Sequence, residues 1–464
     1  MDRRQALRLT LRGGIALGVL GGAGLYGRYR YLPPAPSPRL DPVDDLAARL
    51  FRSLDGSLRE AACVPYDHPY RQYHNRGVAG GGVDIDGDRF SWEQRSLLTD
   101  LLHAALSGPG RERLTRQFFI RWPGVQGLRL LICGEPGASA YQIVLSGPHL
   151  NLRIGGVSRE GVAFGGPLVY GDQRGDSRQG LPRNVYRYQF LAAQRLFRTL
   201  EPEHRRAAIL PRAPIQTRIE LQGRHGTFPG VPIAALADPG KALARELVEG
   251  ILSTYPARDV AYAWRCMEEN GGLDALFLSY YEDGEVGGSG EYQIFRVEGP
   301  GAVFYFRGFP HVHAFVNVAL DGDHPLSVGE IIGTNPAVLE GSAVKTLFQD
   351  AMRGQTGADL AYYPTESAVG RLRPGIVRTG DIYTLESWQD RIVTAPVRGD
   401  GIAGPLREEL ERAGGLPAAG RTCALATTAH AAREVAPGGS WQEAMLLRDA
   451  AIAHLREQGF GRRA

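Results

Sequence analysis

Apolar positions along the chain alternate between two periods. Leu46, Leu50, Leu54 and Leu58 recur at helical spacing and predict a helix over 41–63. Ser91-Trp92-Glu93-Gln94 has the form of a capping box and predicts a helix from there to about Leu106. Short runs rich in β-branched and aromatic residues follow, separated by glycine and proline. They predict strands at Leu128–Cys133, Tyr141–Ser146 and Leu150–Ile154. Helical spacing returns near 185–200, 242–255 and 260–269, and then strands at 276–281, 292–297, 303–307 and 312–319. Strands, helices and strands again in separate blocks predict an α+β fold rather than a doubly wound sheet. After Asp323-His324-Pro325 the elements become shorter: helix 344–353, strand 360–362, strand 391–397, helix 405–413, strand 422–426 and a closing helix 441–458. At 464 residues two domains are expected. The pattern places them at 40–325 (mixed α+β with antiparallel strands) and 326–464 (smaller, α/β).

The first 39 residues stand outside that scheme. Arg3-Arg4 precedes an apolar, glycine-laced run from Gly13 to Gly27, which is short for a bilayer span. A paired arginine before such a run is the address of the twin-arginine export route. A proline-rich spacer from Leu32 to Pro38 follows. The expected location is periplasmic or periplasm-facing. Cleavage and retention as a tether both stay open, because no clean small-residue cleavage site follows. Any contact with a membrane is expected through this segment alone.

Composition narrows the function classes. A net charge of +3 excludes a polyanion-wrapping surface, so no nucleic-acid partner is expected. Cys63, Cys133, Cys266 and Cys423 show no C-x-x-C spacing, which argues against a zinc finger or a thioredoxin-like motif. Cys133 and Cys266 lie in apolar runs and are expected in the core.

The histidines carry the candidate chemistry. His311 and His313 stand two apart in an expected strand, so both imidazoles project from one face. His149 lies on another strand, and His68 and His74 lie on a polar loop able to fold over it. Asp67 or Glu135 would complete a His-rich site for a divalent transition metal (zinc, iron or copper) with a position left for water. Such a site suits metal-assisted hydrolysis; a metal- or ligand-binding protein without turnover is the competing reading.

Two resemblances add to this. Residues from about 45 to 325 resemble a bacterial family known as domain of unknown function 3500. That likeness rests on Asp67-His68-Pro69, Tyr73-His74-Asn75, Gly134-Glu135-Pro136, Ser146–Leu152 and His311-Val312-His313. It implies no established activity. Residues from about 328 to 461 resemble the C-terminal, substrate-binding domain of the 5′-nucleotidase family. The stretches that carry it are Thr346–Met352 with Gly357–Ala361, Arg371–Gly375 with Thr379–Tyr383, Cys423–Thr428, and Leu447–Gly459. The resemblance implies a nucleotide-like or phosphate-ester small molecule, held by Arg371 and stacked between Trp388 and His430. Departures are present: Glu366 stands where the family has asparagine, and Gly438-Gly439-Ser440-Trp441 replaces its aromatic-bearing glycine loop. The metal-binding motifs of the family's catalytic metallophosphatase domain are missing from the chain.

Overall fold

The structure is a computed structural model. It describes residues 42–72, 81–85, 87–119, 125, 127–147, 149–155, 161–172, 183–216, 219–323, 326–368 and 370–458. Arg3, Arg4 and the expected export segment lie outside the described residues, as does His74.

The leucine stripe of the first helix is buried as its spacing implies, but the helix breaks within it. Helix α1 (Pro42–Ser53) ends before Asp55, whose carboxylate accepts the Leu58 N–H and starts α2 (Gly56–Ala62). Leu46, Leu50, Leu54 and Leu58 nevertheless all enter one core. The chain then forms β1 (Cys63–Val64), β2 (Val83–Asp84), α3 (Trp92–Ala104) and α4 (Gly108–Phe119). The Ser91 box closes as its sequence implies: Ser91 Oγ accepts the Gln94 N–H at 3.1 Å and Gln94 Oε1 accepts the Ser91 N–H at 2.8 Å.

Strands β3 (Arg129–Gly134), β4 (Tyr141–Gly147), β5 (Leu150–Ile154) and β6 (Leu168–Asp172) come next. Helices α5 (Arg187–Thr199) and α6 (Pro202–Ala208), strands β7 (Ile209–Leu210) and β8 (Val231–Pro232), and helices α7 (Asp238–Leu252) and α8 (Ala257–Glu269) separate them from the second strand block. That block is β9 (Phe277–Tyr281), β10 (Ile294–Gly299), β11 (Ala302–Arg307) and β12 (Val312–Val318). Among the described residues the two blocks join into one twelve-stranded sheet, in the order β1-β3-β4-β5-β6-β12-β11-β10-β9-β7 with β2 on β3 and β8 on β9. The join is the antiparallel pair β6–β12. Strand β6, five residues among glycines, is not predicted from sequence, yet it holds the centre of the sheet.

Alternation along these strands defines two faces. Val312, Ala314, Val316, Leu168, Tyr170, Phe304 and Phe306 point to the main core, where α1, α3, α5, α7 and α8 cover them. Val169, Phe315, Tyr305, Val303 and Ile294 point the other way. That second face is covered by Ile219, Leu221, Leu326 and Val328. Polar side chains share it: Gln142, Asn151, Arg153, Asn317 and His313 all lie on positions facing away from the helices.

The remaining elements are β13 (Ile331–Asn335), β14 (Leu339–Glu340), α9 (Ser342–Thr356), β15 (Leu360–Tyr362), β16 (Arg371–Leu372), β17 (Gly375–Arg378), α10 (Thr379–Leu385), β18 (Arg391–Arg398), α11 (Gly404–Arg412), β19 (Thr422–Thr428), α12 (Ala432–Val435), β20 (Gln442–Leu446) and α13 (Leu447–Glu457). A four-stranded sheet, β15-β19-β18-β20, packs against α9 and α13. The single closing helix expected at 441–458 is a strand followed by a helix, because Gln442–Leu446 pairs along the free side of β18. The chain from Val43 onward forms one compact unit. Polar ties join its earlier and later elements: Gln72 donates to Asp381 at 2.8 Å and accepts the Val328 N–H at 2.9 Å. The α+β class is observed. All four cysteines are free thiols, and Cys133 and Cys266 are buried as expected.

Candidate metal centre

One row of residues runs across four strands on the sheet face turned away from the helices. Leu150 pairs with Tyr170, so His149, one residue earlier, stands beside Gly171. Gly171 pairs with His313, and His313 pairs with Arg307. The row therefore reads His149, Gly171, His313, Arg307. His149 and His313 are two strands apart, about 9.5 Å between backbones at ordinary strand spacing. Their rings lean over the intervening glycine and meet with centroids 4.7 Å apart. The absent side chain at Gly171 is what admits them: a Cβ there would stand 3.1 Å from His149 Cδ2 and 2.2 Å from the Val312 carbonyl oxygen. His149 also takes a backbone φ of 68°, a left-handed conformation uncommon outside glycine, at the tight β4–β5 turn.

His311 lies just before β12, two residues ahead of His313 and on its side of the strand. Its ring centroid is 4.9 Å from that of His149 and 4.7 Å from that of His313. One ligand nitrogen from each of the three imidazoles falls within 4.8 Å of the other two. His311 Nε2 and His313 Nε2 are 2.9 Å apart. Zinc–imidazole bonds of ~2.0–2.1 Å in a tetrahedral site put ligand nitrogens about 3.3 Å apart. The close pair must open by a few tenths of an ångström and the wider contacts must close. Three neutral imidazoles form a donor set suited to zinc, copper or iron. His149 is buried and the other two are half-buried.

A further side chain touches the row from above. Gln216 lies between Arg307 and His313. One turn of the amide puts its oxygen 3.0 Å from His313 Nδ1 and its nitrogen against the Arg307 donors; turned over, the oxygen accepts from Arg307 Nε at 2.8 Å and Nη1 at 3.1 Å and the nitrogen donates to His313 Nδ1 at 3.0 Å. This orientation follows from the hydrogen-bond network, since a guanidinium offers only donors. Gly171, Gln216 and Arg307 carry no sequence signal. They become neighbours of the histidines only through strand register and a segment that crosses the sheet.

The other expected site residues are placed elsewhere. His68 does not join the cluster. Its Nδ1 accepts the Tyr70 N–H at 3.1 Å, capping the single turn Pro69–Arg71, and its ring packs on Tyr70 and Tyr383. Burial, and then the charge of Arg448, hold its pKa below the ordinary histidine range. Neither Asp67 nor Glu135 belongs to the cluster: Asp67 lines a cleft beside His68, and Glu135 is exposed at the β3–β4 turn.

Arg371 opens β16, where its Nε donates to Glu220 Oε1 at 2.9 Å. Both line a cleft of about 460 Å³ together with Asn317, Leu221, Arg373 and Asp323. Trp388 is half-buried and its backbone N–H donates to Glu386 Oε1 at 3.0 Å. His430 is exposed; burial raises the pKa of Asp390, two residues beyond Trp388.

No protein-family model matches the chain. No curated protein sequence matches it either. Among solved structures, the crystal structure of a 5′-nucleotidase precursor from Thermus thermophilus aligns at 10% identity and a TM-score of 0.25. The alignment covers 40% of this chain and 52% of that one. The chain thus spans about half the length of that protein, and a likeness of this degree carries no argument about activity.

Proposed function

We propose that this protein is an exported, metal-dependent hydrolase of a small phosphate-ester or nucleotide-like molecule, with its reaction centre at His149, His311 and His313. The observation that carries the reading is the convergence of three imidazoles, from two stretches of chain more than 160 residues apart in sequence, His149 on one and His311 and His313 on the other, on one point of the sheet face. Three protein ligands in such a site leave a position for water or substrate. A bound divalent ion would supply Lewis acidity there and bring the ionisation of water close to neutral pH. The chain's own part is to hold the imidazoles at the starts of β5 and β12, with His149 buried. Arg307, next in the row, places a guanidinium beside the centre, where it suits an anionic substrate oxygen. Arg371, Trp388 and His430 belong to the proposal as ligand-holding residues, on the strength of the C-terminal resemblance alone.

Metal analysis of protein purified after export is the direct test. About one zinc, iron or copper per chain is expected, with loss in His311→Ala and His313→Ala. Retention of metal by both variants would exclude the centre. A panel of nucleotides and phosphate esters then separates enzyme from carrier: stoichiometric metal with no turnover of any member removes the hydrolase assignment. Export is tested by replacing Arg3-Arg4 with a lysine pair, which is expected to leave the protein in the cytoplasmic fraction.

A further inference from the structure

Gln216 stands between a group that can only donate and a group that can do either. Arg307 occupies the amide oxygen, which leaves the amide nitrogen to donate to His313 Nδ1. A neutral imidazole that accepts at Nδ1 carries its proton on Nε2. That proton lies on the line to His311 Nε2, 2.9 Å away. In this arrangement the His313 nitrogen closest to His311 has no lone pair to give a metal.

Ligation through Nε2 requires the other tautomer, with Nδ1–H facing an acceptor. Metal-ligating histidines ordinarily donate that second N–H to a carbonyl or carboxylate oxygen. Gln216 can provide one only by turning its amide over, and turning sets its NH₂ group against the Arg307 N–H donors.

We propose that Gln216 is the positioning residue that selects the His313 tautomer, and that Arg307 holds it in the orientation that disfavours metal. Metal entry and the Arg307–Gln216 hydrogen bonds then exclude one another. The inference rests on the metal-centre reading and adds to it a built-in competitor, which weakens metal binding until Gln216 turns.

The test uses the full chain with ¹⁵N-labelled histidine, whose ring nitrogen shifts distinguish the two tautomers, together with zinc titration. Wild type is expected to show Nε2–H at His313 without zinc and Nδ1–H with it. In Gln216→Glu the carboxylate accepts from Arg307 and from Nδ1–H at once. That variant is expected to be Nδ1–H before zinc is added and to bind zinc about 10- to 100-fold more tightly. In Gln216→Met, which offers neither a donor nor a strong acceptor, both tautomers are expected. Three results would overturn the proposal: Nδ1–H at His313 in the zinc-free wild type, an unchanged tautomer in Gln216→Met, or tighter binding in Gln216→Glu without a change of tautomer. The last would mean that the added charge alone is acting. Zinc binding that needs His311 but ignores every change at Gln216 overturns this role and leaves the centre standing. Absence of zinc binding in wild type and Gln216→Glu alike overturns the centre itself.

Discussion

Replacing Glu386 by glutamine is expected to stabilise this protein above neutral pH and to leave it unchanged in acid. Glu386 is fully buried at the end of α10. Its Oε1 accepts backbone N–H groups from Trp388 at 3.0 Å and Asp390 at 3.3 Å. Its Oε2 is buried with no hydrogen-bond partner among the described residues. Burial, and then the neighbouring Asp390 carboxylate, push its pKa up from 4.5 to about 7, against the opposing pull of those N–H groups and of Arg448. The folded state therefore binds the proton more tightly than the unfolded chain. Stability falls as pH rises from the unfolded value to the folded one, and levels off above it. A gap of about 2.5 pKa units at 1.36 kcal/mol each sets the full loss at roughly 3 kcal/mol. Glutamine keeps an oxygen for the two N–H groups and never ionises. The difference in unfolding free energy between Glu386→Gln and wild type, from urea titrations between about pH 4 and pH 8, is expected to grow by that amount across the window. A difference that stays constant with pH would show that Glu386 is not held protonated by its surroundings.

Three further perturbations test the arrangement of the candidate site. Gly171→Ala places a methyl group against the Val312 carbonyl and the His149 ring, so β6 and β12 must part. It is expected to cost about 1–3 kcal/mol and to reduce bound metal; a variant with wild-type melting and full metal content would contradict the glycine-gap geometry. His68→Ala is expected to leave metal content unchanged, since that imidazole caps the turn at Pro69–Arg71; metal loss measured in this variant would place His68 at the centre after all. Arg371→Ala removes an ion pair with Glu220 whose side chains are 32% and 25% exposed. Its cost in stability is expected to stay below about 1 kcal/mol while the affinity for a phosphate-bearing substrate falls at least tenfold. Equal affinities in titration calorimetry would assign Arg371 to fastening the fold alone.

Much of the fold is legible locally. The Ser91 box, the strands Leu150–Ile154 and Leu360–Tyr362, and the helices near 187–199 and 257–269 rest on side-chain-to-backbone bonds and hydrophobic periods within a few residues. Failures occur where distant pairing overrides local preference. Gln442–Leu446 has helical propensity but meets an unpaired strand edge in β18. Strand β6 is short and glycine-flanked, and exists because β5 and β12 offer it partners on both sides.

The candidate site divides the same way. By itself the sequence determines that His311 and His313, two residues apart where an expected strand begins, project to one side, because extended chain repeats every two residues. It also determines the leucine stripe of the first helices, the alternation that buries the sheet, and the presence of His149 near a strand start. Only the tertiary structure decides that His149 joins that pair and His68 does not. The choice depends on register across β5, β6 and β12, where a slip of one residue would turn His313 into the helical core. It also decides that glycine stands between the rings, and that Gln216, almost a hundred residues before His313, arrives on Nδ1. Contacts of that range are set by how whole strands pair and by what covers them, and no local pattern encodes them.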